Sequence, residues 1–200
     1  MKNICSFLAI FSILILSFPS CKKDKNNSGN GNATYYMRFK VNGVQTQFNS
    51  VPIAQSVYNS SDKVYATGIL ALKDSSKINQ DQIDIAITNK DALAAGAVYQ
   101  DPVKVNAGTA AIPQIIITYY NSQQESYVSM GLFSDNEGNF SSLLPDYKNL
   151  VADAKLTVSD IGSDFIKGSF SGTVFRLNTS TNVYDKITLT EGQFNLEYPH

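Results

Sequence analysis

The feature that most constrains this fold is the alternation of apolar and polar side chains in short runs of the chain. Met37, Phe39 and Val41 fall on one face of the first run, and polar or charged residues separate them. A period of two is typical of a β-strand that buries one face. An Asn-Gly pair at 42–43 follows at once, and a second alternating run then ends at Phe48. Such a pair between two runs predicts a hairpin with a type I′ turn.

The chain beyond residue 48 repeats this pattern, with clusters of turn-forming residues between the runs. Short strands at this spacing predict an all-β fold, an antiparallel β-sandwich of about eight to ten strands. A jelly-roll or immunoglobulin-like arrangement and a partly closed barrel are the alternatives. Only 91–96 and 144–154 carry the signals of a short helix. The pattern predicts further strands at 64–72, 82–88, 97–100, 113–120, 127–133, 154–158, 166–177, 186–190 and 193–198.

One predicted strand carries two glycines on its inward face. Ile166, Phe170 and Val174 give that face of 166–177 its apolar character, and Gly168 and Gly172 lie between them. Glycine on the buried face of a strand indicates a bulge, a bend or a place that a large neighbouring side chain fills.

The first twenty residues have the character of a targeting segment. A basic start at Lys2 precedes an apolar run from Ile4 to Phe18. That run is shorter than the roughly 20 residues that a helix needs to cross a bilayer. The pattern therefore predicts a secretory signal peptide over residues 1–20.

The end of this segment, Leu16-Ser17-Phe18-Pro19-Ser20-Cys21, resembles the lipobox of bacterial lipoproteins, in the relaxed form found in the Bacteroidota. The resemblance implies cleavage before Cys21, a diacylglycerol thioether on its sulfur and, usually, acylation of the new amino group. Two or more acyl chains anchor a protein stably to a membrane. An ordinary secreted protein and an uncleaved anchor with an incidental thiol are the alternatives.

Residues 21–32 predict a flexible tether, because the segment after Cys21 contains only Lys, Asp, Asn, Ser and Gly. A chain of this length and composition has a mean reach of roughly 17–20 Å. Lys22 stands where an aspartate retains many lipoproteins at the inner membrane, so the resemblance implies the outer membrane. Whether the protein faces the periplasm or the cell surface stays open. The single folded domain is expected over 33–200.

Both ends of this domain carry a second resemblance. The segment Phe39-Lys40-Val41-Asn42-Gly43-Val44 is similar to the opening strand of small all-β lipoproteins of the Bacteroidota, and 168–174 with 187–194 is similar to their closing strands. The family-level description expected for such domains is one of unknown function, so the resemblance implies a fold and no catalytic residues.

Composition removes several classes of function. The chain has 16 basic and 17 acidic residues, of which 12 basic and 16 acidic residues lie in the domain. A mildly acidic domain of this kind argues against nucleic-acid binding. His200 is the only histidine, and Cys5 and Cys21 are the only cysteines. The domain therefore lacks the set of ligands that a zinc site needs, and its one histidine is the terminal residue, where a catalytic triad is not expected. We expect no enzyme activity and no cofactor.

Two sets of residues remain as candidate sites. Tyr36, Tyr119 and Tyr120 are candidates for stacking on a ligand such as a sugar ring, since tyrosine tolerates an exposed position in a strand. Neighbouring strand residues point to opposite faces, so one ring of a pair such as 119–120 should face outward. Oxygen-bearing side chains at alternate positions form a weaker candidate for calcium: Asp135, Glu137 and Asn139.

The sequence thus predicts a membrane-anchored, non-catalytic lipoprotein of the cell envelope that acts as a binding or interaction module. Its anchor partner is the membrane, reached through the N-terminal lipid; the ligand is unknown, and a glycan and an envelope protein are the candidates. A glycan-binding accessory lipoprotein is the first alternative. A hydrolase that uses a pair of loop carboxylates is the second. The oligomeric state stays open.

Overall fold

The computed structural model describes residues 35–77, 80–102, 115–135 and 137–199. Tyr35–His200 forms one compact unit. The predictions for the signal peptide, for Cys21 and for the tether fall on residues 1–34 and lie outside the described residues.

The described part of the chain is all β, as predicted. It holds eleven strands and two single 3₁₀ turns, Gly131–Phe133 and Tyr147–Asn149. The strands are β1 (Tyr36–Val41), β2 (Val44–Phe48), β3 (Ser50–Asn59), β4 (Val64–Leu72), β5 (Gln82–Asn89), β6 (Val98–Gln100), β7 (Ile115–Tyr120), β8 (Ser126–Ser129), β9 (Lys155–Ile161), β10 (Phe165–Asn178) and β11 (Val183–Glu197).

These strands form two sheets that face each other and join along both sides. The hydrogen-bonded order runs continuously as β2-β1-β11-β3-β4-β5-β7-β8-β10-β9-β6, and β11 also pairs with β10. We call the half formed by β2, β1, β11, β10, β9 and β6 the first sheet, and the half formed by β3, β4, β5, β7 and β8 the second sheet. On one side β8 pairs with β10 at Ser129 and Val174. On the other side β3 pairs with β11 through Ile53 and Glu197. The arrangement is a sandwich that approaches a partly closed barrel, and the contact between β3 and β11 is parallel whereas the other strand pairs are antiparallel.

The core lies between the sheets and is built by the faces that the alternation predicted. Met37, Phe39, Ile166 and Val174 are fully buried. The Phe39 ring is the centre of an aromatic cluster, and its centroid lies 5.0 Å from that of Phe48 in an edge-on contact. Edge-on aromatic pairs at this distance add to the stabilisation that burial provides.

The first hairpin has the predicted turn. Asn42 and Gly43 have φ values of 48° and 84°, and Val41 pairs with Val44. Two consecutive positive φ values define a type I′ turn, whose twist matches that of the flanking strands.

β3 was not predicted, and its sequence explains why. Pro52 cannot donate a hydrogen bond to a neighbouring strand, and the pairing of β3 with β4 shifts register between Ser50 and Ile53. The inward positions after it are Ala54 and Ser56, so the strand lacks a strong apolar alternation. Its last residues were expected to form a turn, which begins only after Asn59.

Several other expectations differ from the structure in detail. The segment 127–133 was expected to be one strand, but β8 ends at Ser129 and a 3₁₀ turn follows at 131–133. The segments 186–190 and 193–198 belong to one strand, β11, which continues through a bulge where Glu191 has a φ of 53°. The segment 144–154 contains a single 3₁₀ turn instead of a longer helix. The segment 91–96 forms no helix and ends in a turn at Gly96, whose φ is 83°.

A second, smaller apolar cluster covers the outer face of β10. Phe175 points away from the main core and is 4 % exposed, because Met130 and Leu150 pack on it. The segment between β8 and β9 therefore acts as a cover for this half of the first sheet. Within the described residues, helices of the length and apolar character needed to cross a membrane do not occur.

Candidate functional site

The two ends of the sandwich differ in their side chains. At one end the inward faces of β3, β4 and β5 finish in polar and aromatic residues, Tyr58, Tyr65 and Asn89, which pair with one another across the strands. We call this the tyrosine end. At the opposite end, which we call the arginine end, Arg176 lies over the ring of Tyr127, with 5.4 Å between the guanidinium carbon and the ring centroid.

The tyrosine end presents two rings together at the surface. The centroids of Tyr58 and Tyr65 are 4.9 Å apart and their planes are inclined by 49°. Ala54 and Ile69 line the core on β3 and β4. Because side chains alternate along a strand, Tyr58 and Tyr65 lie further along the same two faces. Tyr58 is 51 % exposed and Tyr65 is half-buried, so part of each ring can meet a ligand.

A row of hydroxyl groups lies directly below the rings. The Ser56 and Thr67 hydroxyl oxygens are 2.5 Å apart in a hydrogen bond. The Tyr198 hydroxyl donates to Ser56 Oγ at 2.8 Å. The hydroxyl of Tyr99 also belongs to this polar region, since the Ala94 backbone and the Asn89 side chain hydrogen-bond to it. Burial raises the pKa of this hydroxyl, and the two hydrogen bonds oppose that rise. Flat rings beside hydroxyl and amide groups are the surroundings that suit a polar ligand with apolar faces.

Of the three tyrosines that the sequence singled out, Tyr119 is not available. It is 4 % exposed, and its ring lies in the core 6.4 Å from the ring of Phe39. Burial raises the pKa of its hydroxyl, and the charge of Asp81 and a hydrogen bond to it raise the pKa further. The prediction that Tyr119 stacks on a ligand is therefore wrong, because the register of β7 turns this ring inward.

Tyr36 and Tyr120 both point outward and are half-buried, but the structure does not bring them together. Tyr36 lies on the first sheet, where the Arg38 guanidinium stands 5.4 Å above its ring. Tyr120 lies on the second sheet, where burial and the charge of Asp84 raise the pKa of its hydroxyl and a hydrogen bond with Ser126 opposes that rise. Each ring already has a covering neighbour, so neither forms a joint platform.

The candidate calcium segment is a tight turn closed by an isolated bridge between Ser134 and Phe140. Asp135 Oδ1 accepts hydrogen bonds from the backbone N–H groups of Glu137 and Asn139, each at 2.9 Å. These hydrogen bonds hold the pKa of Asp135 below its ordinary value. The carboxylate thus stabilises its own turn. In the described parts of the chain no three His, Cys, Asp or Glu side chains gather as a metal site would require.

Directly after β6 lies Asp101, a buried carboxyl whose pKa is raised further than that of Asp84. Asp101 is 7 % exposed and its Oδ2 atom has no hydrogen-bond partner. Burial raises its pKa to about 7, and the nearby charge of Asp153 adds to the rise. Asp153 itself accepts hydrogen bonds from the backbone N–H and the hydroxyl of Thr173, at 2.7 and 2.8 Å.

Two neighbouring acids are the residue type that a carboxylate-dependent hydrolase would use. However, Oδ2 of Asp101 lies against Gly131, where an added Cβ would stand 1.9 Å from it. The carboxyl therefore faces the backbone of the cover segment and not an open cleft. Its role in this arrangement is structural.

A polar cleft of about 390 Å³ lies between the β4–β5 connection and the β7–β8 turn. Its charges neutralise one another, since Lys73 pairs with Asp81 and Lys77 pairs with Asp74, each at 3.2 Å. These pairs are exposed and contribute little binding energy. The remaining lining residues are Gln80 and Ser122.

No family model, curated protein or solved structure matches this chain. The site must therefore be judged from its own geometry, and the tyrosine end is the strongest candidate. The sequence offers Tyr58 and Tyr65 among its tyrosines, but it did not predict that they lie together, because Tyr58 lies on the strand that was not predicted. A β-strand assignment for 50–59 would have placed the two rings opposite each other.

Proposed function

We propose that this chain is a lipid-anchored, non-catalytic protein of the cell envelope whose β domain binds its ligand at the tyrosine end. The lipobox resemblance at Cys21 supports the anchor, and Lys22 supports the outer membrane. The observation that carries the binding role is the exposed ring pair of Tyr58 and Tyr65. Exposing two aromatic rings to water is unfavourable, so a ligand that covers them gains free energy from removing their apolar surface from water.

The ligand class that suits this end best is a carbohydrate. A sugar ring has an apolar face that stacks on an aromatic ring and hydroxyl groups around its rim. The half-buried Ser56 and Asn89 lie beside the rings and offer polar partners, whereas Thr67 and Tyr198 are buried and hold Ser56 in place through hydrogen bonds. The rings are uncharged at neutral pH, which suits a neutral ligand better than a strongly charged one.

An array of bacterial and plant polysaccharides, probed with the full-length chain, tests this proposal. We expect retention by a subset of neutral polysaccharides. Tyr58→Ala and Tyr65→Ala should each weaken that retention by roughly tenfold, since a stacked aromatic contact contributes about 0.5–1.5 kcal/mol beyond its area. Tyr58→Phe should retain most of the binding because it keeps the ring.

Tyr36→Ala is the matched control, because it removes another half-buried tyrosine, at the start of β1, that is not one of the two paired rings. Binding that survives Tyr58→Ala and Tyr65→Ala but is lost in Tyr36→Ala would place the ligand on the outer face of the first sheet. An envelope protein as ligand would instead give no polysaccharide signal, and a cross-link formed from the tyrosine end in cells would identify it.

A further inference from the structure

Within the described part of the chain, the first sheet ends in an edge strand, β2, that lacks the usual features that prevent pairing. β2 and β6 are the two outer strands of the described sheet. β6 has only three residues, whereas β2 has five. The β2 sequence, Val-Gln-Thr-Gln-Phe, contains no charge and no proline, and its pairing with β1 has no bulge. Natural edge strands usually rely on short length, charges, proline or bulges to prevent pairing with another chain.

The free edge of β2 has a defined set of hydrogen-bonding groups. In a two-residue hairpin the residues next to the turn form a hydrogen-bonded pair, here Val41 and Val44. Every second residue then bonds to β1, which makes Thr46 and Phe48 the next such positions on β2. The backbone N–H and C=O groups of Gln45 and Gln47 therefore point outward, and both side chains are exposed.

We propose that this edge pairs with the same edge of a second copy of the chain, in an antiparallel register centred on Thr46. Gln45 of each copy then lies opposite Gln47 of the other, and these two pairs exchange four backbone hydrogen bonds. Thr46 lies opposite Thr46, and Val44 lies opposite Phe48. The result is one continuous sheet with a two-fold axis, the commonest symmetry of homo-oligomers.

The residues of β2 are self-complementary in this register, which favours a second copy over another partner. A threonine pair and a pair of one β-branched with one aromatic residue are both stabilising across antiparallel strands. Val44 is 71 % exposed in the single chain, although it lies on the face of β2 that Phe48 buries in the core. Pairing gives Val44 a neighbour on that face. This inference does not depend on the proposed ligand or on the lipid anchor.

Disulfide trapping tests the register directly. In the full-length chain with Cys5→Ala and Cys21→Ala, a Thr46→Cys change supplies the only thiol. Residues facing each other in a pair without hydrogen bonds have Cα atoms about 4.5 Å apart, which is within the range of a disulfide. We expect Thr46→Cys to give a covalent dimer under mild oxidation.

Val44→Cys in the same background is the matched control. Its two copies would lie about four residues apart along the strands, roughly 13 Å, which is too far for a disulfide. Both variants carry the same apolar N-terminal segment, so association through that segment would trap them equally. Equal trapping of the two variants, or trapping of neither, overturns the proposed register.

Charge changes on the outer face give a second, independent test by sedimentation. Gln45→Glu/Gln47→Glu places like charges opposite each other in the dimer, and each Glu faces Lys40 or Arg38 of its own β1. The monomer should therefore fold normally while dimerisation weakens by roughly tenfold. Gln45→Lys/Gln47→Glu places opposite charges together twice and should restore or strengthen the dimer.

A chain that sediments as a monomer at all concentrations, with both glutamate and mixed-charge variants alike, would overturn the proposal. Hydrogen exchange separates one remaining case. If the amides of Gln45 and Gln47 are protected in a monomer, another segment of the same chain covers this edge, and the second copy is excluded.

Discussion

Gly168 of β10 lies directly opposite Phe194 of β11, and the ring of Phe194 occupies the space that a side chain at Gly168 would need. A Cβ added at Gly168 would stand 2.4 Å from Cζ of Phe194 and 2.1 Å from the carbonyl oxygen of Thr157. The ring can turn, but the Thr157 carbonyl belongs to the backbone of β9. The glycine therefore lets two neighbouring strands and a core ring meet at one point.

Gly168→Ala should consequently destabilise the domain. Overpacking of a rigid core site costs about 1–3 kcal/mol, which in a domain of this size lowers Tm by roughly 2–12 °C. Ser169→Ala, at the neighbouring exposed position of the same strand, is the control and should leave Tm nearly unchanged. Differential scanning calorimetry measures both, and an unchanged Tm for Gly168→Ala would show that β9 shifts freely.

Two buried carboxyls should make the stability of the domain fall as pH rises. Burial raises the pKa of Asp84 to about 6 and that of Asp101 to about 7. The folded state therefore holds more protons than the unfolded chain between the ordinary pKa and these values. The stability that these two groups contribute is fully present below about pH 4. It is lost as pH rises through their folded-state pKa values of about 6 and about 7.

Asp101→Asn should remove a large part of that loss. We expect a gain in unfolding free energy on the order of 3 kcal/mol at pH 8 and little change at pH 4. Asp84→Asn should act in the same direction with a smaller effect. Urea denaturation at a series of pH values measures this, with the exposed Asp91→Asn as control. A gain of equal size at both pH values would show that charge is not the cause.

Cys21→Ala should release the protein from membranes if the lipid attachment is correct. Two or more acyl chains hold a protein stably at a bilayer, and no other lipid attachment is predicted. The measurement is the distribution of the chain between the soluble and membrane fractions of lysed cells. Ser20→Gly, which keeps a small residue before the cysteine, should leave the protein with the membrane.

Deleting residues 22–32 should leave the thermal unfolding of the domain unchanged. The segment contains no aliphatic or aromatic side chain that could join the core, and the compact unit begins at Tyr35. Equal Tm values for the deleted and full-length chains are expected by calorimetry. A drop of several degrees would mean that part of the predicted tether belongs to the folded domain.

The fold was predictable wherever the alternation was strong. β4 was predicted with its observed bounds, because Ile69 and Ala71 face the core between polar or small residues. β3 was not predicted, since Pro52 and the small inward side chains remove the alternation of apolar and polar residues. The parallel contact of β3 with β11 is a long-range pairing, and local patterns contain no information on it.

The candidate site was less predictable than the fold. An alternation shows that one member of the pair 119–120 faces outward but not which one, because a shift of register by one residue exchanges the two faces. The environment of Asp101 depends on its contact with Gly131, a residue thirty positions along the chain. Contacts of that kind appear only once the strands have their order.

The position of β11 has a consequence for the order in which the protein can fold. This final strand pairs with β10, with β1 and with β3, so it holds the first and last parts of the domain together. A chain that has not yet folded β11 into place leaves β1 without this neighbour and the sandwich open. Closure of the domain must therefore wait for β11 to pair, and such non-local pairing makes it slow.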